Sequence, residues 1–175
     1  YGTLMSEFGD HVPNAQEFPA FFEAVKRLGE ESKFRNRVFY PFTYGSMVQA
    51  ERTKTFLRTV LEAGYRWAEE RYLPESPTEK DALSYIDSAL KQHLINYQKT
   101  FPGCQRQLIM NLGFISIPHL NLDINPQVDY KVFLEMQMNL IANDPVFLGI
   151  YGISWYHTAY ADEEMVRWSA KLNRH

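Results

Sequence analysis

The 175-residue sequence predicts an α/β fold of four consecutive β/α units with parallel strands, half of the eight units that close a TIM barrel. Three observations predict it. Short apolar runs alternate with amphipathic helical stretches along the whole chain. Two of those runs, Leu108 to Met110 and Val146 to Ile150, carry no polar residue, as strands covered on both faces do. No glycine-rich phosphate fingerprint follows any run, which disfavours a nucleotide-binding doubly wound sheet.

Taken in order, residues 3–8 (Thr-Leu-Met-Ser-Glu-Phe) read as a buried strand closed by Gly9-Asp10 and Pro13. Phe18, Phe21, Phe22, Val25 and Leu28 follow at helical spacing, with Pro19 tolerated in the first turn, and predict a helix to about Lys33. Arg37 to Tyr44 is rich in strand formers. Pro41 lacks a ladder donor and predicts an edge, a bulge or a late irregularity there, before Gly45-Ser46 ends the run. One long helix is then expected from Val48 through Phe56, Val60, Leu61, Trp67 and Ala68 to the stop at Leu73-Pro74.

Ser76-Pro77-Thr78-Glu79 reads as a capping box that opens a second helix, carried by Leu83, Ile86, Leu90, Leu94 and Tyr97 to Pro102-Gly103. Residues 47–101 therefore read as a two-helix insertion. Gln107 to Ile115 is the third strand, and a loop from Ser116 to Ile124 leads to Asn125-Pro126, the expected cap of a helix with Val132, Phe133, Met136, Leu140 and Ile141. Asn143-Asp144-Pro145 ends that helix. Val146 to Tyr156 is the fourth and longest strand candidate, and Ala161-Asp162-Glu163-Glu164 opens a last helix with Met165, Trp168 and Leu172 inward. No linker divides the pattern, so residues 1–175 read as one partial domain. The first residue is Tyr1, and the helical pattern is still running at Asn173-Arg174-His175, so a piece of a longer chain is expected.

Composition narrows the function classes. A net charge of -3 argues against a nucleic-acid-binding surface, and no apolar run reaches the roughly 18 residues of a membrane span. The single cysteine, Cys104, allows neither an internal disulfide nor a zinc site of cysteines. Aromatic residues reach 15%, with eleven tyrosines and three tryptophans; most such rings fill cores, and sugar-binding clefts are one place where the surplus is used.

In parallel α/β folds, functional residues gather at the C-terminal ends of strands. That rule selects Glu7, Asp10 and His11 after the first strand, and Tyr44 and Ser46 after the second. After the third it selects Asn111, Ser116, His119 and Asp123, and after the fourth Trp155, His157 and Tyr160. Glu7 is the sharpest, because a carboxylate near the end of an apolar strand is expensive to bury unless paired or used. Asn111, polar within aliphatics, suits a hydrogen bond to a sugar hydroxyl or to a neighbouring backbone group. Of Trp155 and Tyr156, alternation lets only one face the mouth of a barrel. His93 reads as a surface residue and Cys104 as lying away from the site.

Glu7 in Leu-Met-Ser-Glu-Phe, the final unit Gly-Ile-Tyr-Gly-Ile-Ser-Trp-Tyr-His-Thr-Ala-Tyr-Ala-Asp-Glu-Glu and the order of the units between them resemble the C-terminal half of a glycoside-hydrolase-like TIM barrel. The resemblance covers most of the chain in order of elements and short stretches in residues. In the large barrel glycosidase clans an acid/base glutamate follows an asparagine at a strand end, a second glutamate on a later strand is the nucleophile, and the last strand often carries a tryptophan under the sugar. Trp155 matches the last feature, whereas Ser6 stands where the asparagine would be. No glutamate ends the second or third strand, so the second carboxylate comes from the remaining half of the barrel or from a loop residue such as Asp10 or Asp123.

The resemblance implies a hydrolase with Glu7 and Asp10 as catalytic carboxylates. It implies His11, Tyr44, Asn111, His119, Trp155 and His157 as substrate-binding residues, with a carbohydrate as substrate. It also implies a secreted or periplasmic location, and no cofactor, metal, nucleic-acid or membrane partner is expected. Two alternatives stay open. One is a metal-dependent, sugar-isomerase-like barrel using Glu7, Asp10, His11, His119 and His157 as ligands; the other is a non-catalytic carbohydrate-binding barrel.

Overall fold

The computed structural model of the chain describes residues 2–8, 18–34, 37–76, 78–125, 127–158 and 163–174. Five strands, β1 (Gly2–Phe8), β2 (Val38–Thr43), β3 (Trp67–Arg71), β4 (Leu108–Phe114) and β5 (Gly152–His157), hydrogen-bond in chain order. Between and after them come α1 (Phe18–Glu30), α2 (Glu51–Glu62), α3 (Glu79–Ile86), α4 (His93–Thr100), α5 (Tyr130–Asn143) and α6 (Glu163–Leu172). β1 runs parallel to β2, and β2 to β3. The fold is α/β, with parallel strands and alternating helices. No helix among the described residues is long and apolar enough to cross a membrane.

The strand count corrects the sequence reading. The long helix expected from Val48 to Leu73 stops at Glu62, where Gly64 takes a φ of +75°. Its amide donates to the carbonyl of Leu61 (3.0 Å) and that of Tyr65 to the carbonyl of Val60 (3.1 Å), the paired bonds of a Schellman stop. Trp67 and Ala68 sit seven residues after Val60 and Leu61, so they keep a helical spacing across the stop although they belong to β3. The two-helix insertion is therefore α2, β3 and then α3 and α4, these last joined by a π-helical stretch, Asp87–Gln92.

Three local signals also resolve differently. Thr78, not Ser76, caps α3: its hydroxyl oxygen accepts from the Asp81 amide (3.2 Å) and its proton goes to the Asp81 carboxylate (2.7 Å). Asp129, not Asn125, caps α5, accepting from the Lys131 amide at 2.9 Å, while Asn125 accepts from Gln127 in a turn. The expected strand at Val146 starts only at Gly152. Asp144 and Pro145 open a short 3₁₀ turn there, and Gly149, at φ +83°, completes the reversal. Pro41 behaves as expected. Met5 pairs with Pro41 and the next pairing is Phe8 with Thr43, so the ladder slips just past the residue without an amide hydrogen.

The chain divides into two compact units. The first holds Tyr1–Glu70, Asn96–Met110 and Ile150–Gly152. α1 packs on α2 through Phe22 and Phe56, and the core is centred on Phe56, Leu57, Val60, Trp67 and Tyr97. The Trp67 ring meets Tyr97 edge-on at 4.9 Å. Glu69, two residues on, is buried and accepts from the Thr43 hydroxyl (2.6 Å) and the Tyr97 hydroxyl (3.3 Å), while Tyr97 accepts from the Met47 amide (2.9 Å). Tyr97 thus ties α4 to the chain leaving β2. Tyr97→Phe strips the Met47 amide of that acceptor, and a loss of about 1–3 kcal/mol is expected in urea unfolding; a change below about 0.5 kcal/mol would show the link to be slack.

The second unit holds Arg71–Ile95, Asn111–Gly149 and Ile153–His175. Its core is formed by Leu90, Leu94, Leu112, Phe114, Phe133 and Leu134, with α3 lying on α5.

Candidate functional site

β4 divides its side chains by alternation. Phe114 meets Tyr130 at the start of α5, with ring centroids 4.8 Å apart, so Asn111 and Gly113 face the other way. Asn111 is 2% exposed, and an amide buried that deeply is destabilising unless both ends are bonded. Its Nδ2 donates to the Tyr72 hydroxyl at 2.8 Å, and its Oδ1 accepts from the Ser154 hydroxyl at 2.8 Å. Tyr72 follows the end of β3 and Ser154 lies on β5, so one amide joins three neighbouring segments of the same unit.

Gly113 makes room for this arrangement. A Cβ on it would stand 2.8 Å from the Tyr72 ring and 2.9 Å from the Tyr156 carbonyl oxygen. With no side chain there, Tyr72 lies over the strand and stacks on Tyr156, with centroids 5.3 Å and planes 24° apart. Tyr156 is 46% exposed, so the stack presents a ring to solvent beside a hydrogen-bonded floor.

A second cluster sits in the loops that leave β3 and β4. Glu75 is 3% exposed; its amide donates to the Leu122 carbonyl (3.0 Å), and its Oε2 accepts from the Asn125 amide (3.1 Å). Its Oε1 has no donor among the described residues, and the Asp123 carboxyl lies within hydrogen-bonding reach. Burial first, then the Asp123 carboxyl, push the Glu75 carboxyl up to about 7, against the pull of the Asn125 amide. Tyr130 is close by, its proton shared between the carbonyls of Leu73 (2.9 Å) and Gly113 (3.2 Å), and burial raises its own pKa.

Asp123 is exposed and lines a cavity of about 400 Å³ together with Phe114, Ser116, Asn121, Tyr130 and Lys131. The Asn121 side chain holds the loop in place, donating to the Asp123 carbonyl (2.6 Å) and accepting from its amide (3.2 Å).

The residues selected from sequence fall into three groups. Asn111 joins the network just described, and Asp123 meets Glu75. Tyr44 is half-buried after β2, His119 is exposed in the loop after β4, and His157 is exposed at the end of β5. Trp155, half-buried with an Nε1 that has no partner among the described residues, alternates to the face of β5 opposite Ser154. The ring on the same face of β5 as Ser154 is therefore Tyr156. Glu7 lies in β1, while its side chain, together with Asp10, His11 and Tyr160, lies outside the described residues.

Tyr72, Glu75 and Ser154 were missed. The signal for the first two was the helix stop at Gly64, which turns Trp67–Arg71 into a strand and makes Tyr72 and Glu75 strand-end residues. Among the described residues no three His, Cys, Asp or Glu side chains come together as a metal site requires. Comparison with protein-family models, with curated proteins and with solved structures returned no match.

Proposed function

We propose that the chain is part of a (β/α)8 barrel that acts on carbohydrate, a glycoside-hydrolase-like protein whose site lies at the C-terminal ends of its strands. The observation that carries this reading is the Asn111 amide bonded to Tyr72 and Ser154 beneath an exposed Tyr156. A sugar ring has an apolar face and a rim of hydroxyls, and this surface offers it an aromatic face beside oriented phenol and hydroxyl groups. Strand order supports the barrel. The five strands follow one another without the reversal that a doubly wound sheet needs at its switch point. Glu7 and Asp10 are the proposed catalytic carboxylates, with His11, Tyr44, His119 and His157 as further contacts to substrate.

The test is a glycan panel assayed for both binding and cleavage. Tyr156→Ala is expected to weaken binding about tenfold, the loss of roughly 1.4 kcal/mol of ring contact, with a thermal midpoint lowered by a few degrees at most through the lost stack on Tyr72. Glu7→Gln is expected to abolish turnover while leaving binding intact. Full turnover in Glu7→Gln would end the assignment of that residue. Binding without cleavage in the unmodified protein would favour the non-catalytic barrel, and activity that depends on an added divalent ion would favour the isomerase-like one.

A further inference from the structure

Trp67 and Glu69 on β3 turn toward Tyr97 of α4, with Thr43 of β2 beside Glu69, so alternation puts Tyr40 and Arg66 on the other face of the sheet. The rung Phe42–Ala68, carried back two residues on each strand, sets Tyr40 opposite Arg66. Arg66 Nη1 donates to the Tyr40 hydroxyl oxygen at 3.4 Å, and its Cζ stands 3.7 Å from the ring centroid of Tyr151, the residue before β5. All three residues belong to the first unit. We infer that Arg66 and Tyr40 form a binding site for an oxyanion, a carboxylate or phosphate group carried by a small molecule, with Tyr151 as the platform that holds the guanidinium.

The case rests on an excess of donors over acceptors. A guanidinium has N–H donors and no acceptor, and a phenol that accepts through its oxygen still has its own proton to give. Among the described residues the Tyr40 oxygen is the one acceptor that Arg66 meets, no carboxylate pairs with Arg66, and the Tyr40 proton meets no acceptor. Cations elsewhere in the chain do find carboxylates, as Lys91 does at Asp144 (2.7 Å) and Lys131 at Glu164 (2.6 Å). Arg66 and Tyr40 are both half-buried, and their donor atoms are close enough for one oxyanion to take a bond from each. Such charge-assisted bonds are about twice as strong as those to a neutral acceptor such as water. The stack on Tyr151 covers one face of the guanidinium and leaves its edge, where the N–H groups lie, for a ligand in its plane. Tyr151 is 51% exposed, so its ring also offers an apolar surface to the body that carries the anion. Arg66 and Tyr151 stand at strand starts, whereas the carbohydrate reading uses strand ends, and the two do not depend on each other.

The test titrates the full chain with inorganic phosphate, phenyl phosphate and benzoate while following the Nε–H resonances of its arginines by nuclear magnetic resonance. The Arg66 signal is expected to move saturably, with an affinity that falls as salt is raised. Arg66→Gln is expected to weaken binding at least about tenfold, and Tyr40→Phe, which keeps the ring and removes one donor, about threefold to tenfold. Arg66→Lys keeps the charge without the fork and is expected to restore only part of the loss, which a role confined to packing on Tyr151 would not produce. Tyr151→Ala is expected to weaken phenyl phosphate more than inorganic phosphate. Binding of the two phosphates without benzoate, or of benzoate without them, supports the site and names its oxyanion. No saturable shift with any probe, or equal affinity in Arg66→Gln, would overturn the inference. Should the variants not fold, the unmodified protein decides: an Arg66 signal that stays in place while other signals move places the anion elsewhere.

Discussion

Raising the pH from 5 to 8 is expected to lower the thermal midpoint of the protein by roughly 6–10 °C relative to Glu75→Gln. The sign follows from where the proton is held. Glu75 is pushed from 4.5 to about 7 by burial and by Asp123, so the folded state binds this proton more tightly than the unfolded chain does. The resulting stabilisation is complete below about pH 4.5 and disappears as the pH rises through 7, a difference on the order of 3 kcal/mol. Above that, a charged carboxylate would be left beside Asp123 in a site with 3% exposure. Glutamine keeps the shape of the protonated acid and can donate from its amide to Asp123, so the variant should be nearly flat over the same interval. Melting curves of the two proteins at closely spaced pH values decide the matter, and curves that run parallel would mean that folding leaves the Glu75 carboxyl where it stands in the unfolded chain.

Gly113→Ala is the other substitution with a large expected effect. Its Cβ would meet the Tyr72 ring at 2.8 Å and the Tyr156 carbonyl at 2.9 Å, and the second of these is backbone that no rotamer can move. Overpacking of this kind destabilises by about 1–3 kcal/mol. Turning the Tyr72 ring aside to make room would take its hydroxyl from Asn111, stranding a buried amide hydrogen for roughly 1–3 kcal/mol more. A combined loss of about 2–6 kcal/mol is expected in urea unfolding, with a change in the tyrosine signal of the near-ultraviolet circular dichroism. A variant within about 0.5 kcal/mol of the parent would mean that β4 and β5 can part at this point without penalty.

The alternation that makes the fold α/β was legible because each strand run differs in length and period from the helices beside it. β1, β2 and β4 lie where their apolar runs put them. β3 was not legible as a strand for a specific reason. Trp67 and Ala68 continue the helical spacing of Val60 and Leu61, and the stop between them is carried by one glycine with a left-handed backbone. Losing that strand also hid Tyr72 and Glu75, since both were counted inside or just past a helix. That Asn111 must find hydrogen-bond partners was legible, because a lone amide among aliphatics cannot stay unbonded, but which partners depends on β3 and β5 and lies outside what spacing conveys. Likewise Asp123 could be named as a loop carboxylate, whereas its neighbour Glu75, 48 positions earlier, is brought to it only by tertiary structure.

The slip beside Pro41 bears on how β1 is to be counted. Between the rungs Met5–Pro41 and Phe8–Thr43, β1 advances three residues while β2 advances two. Pro41 and Thr43 have equal parity on their strand, but Met5 and Phe8 do not. An odd–even rule carried along β1 from its first rungs therefore breaks down at the stretch that contains Ser6 and Glu7. The strand end that holds Ser6 and Glu7 is therefore to be counted from the Phe8–Thr43 rung and not from the rungs before the slip.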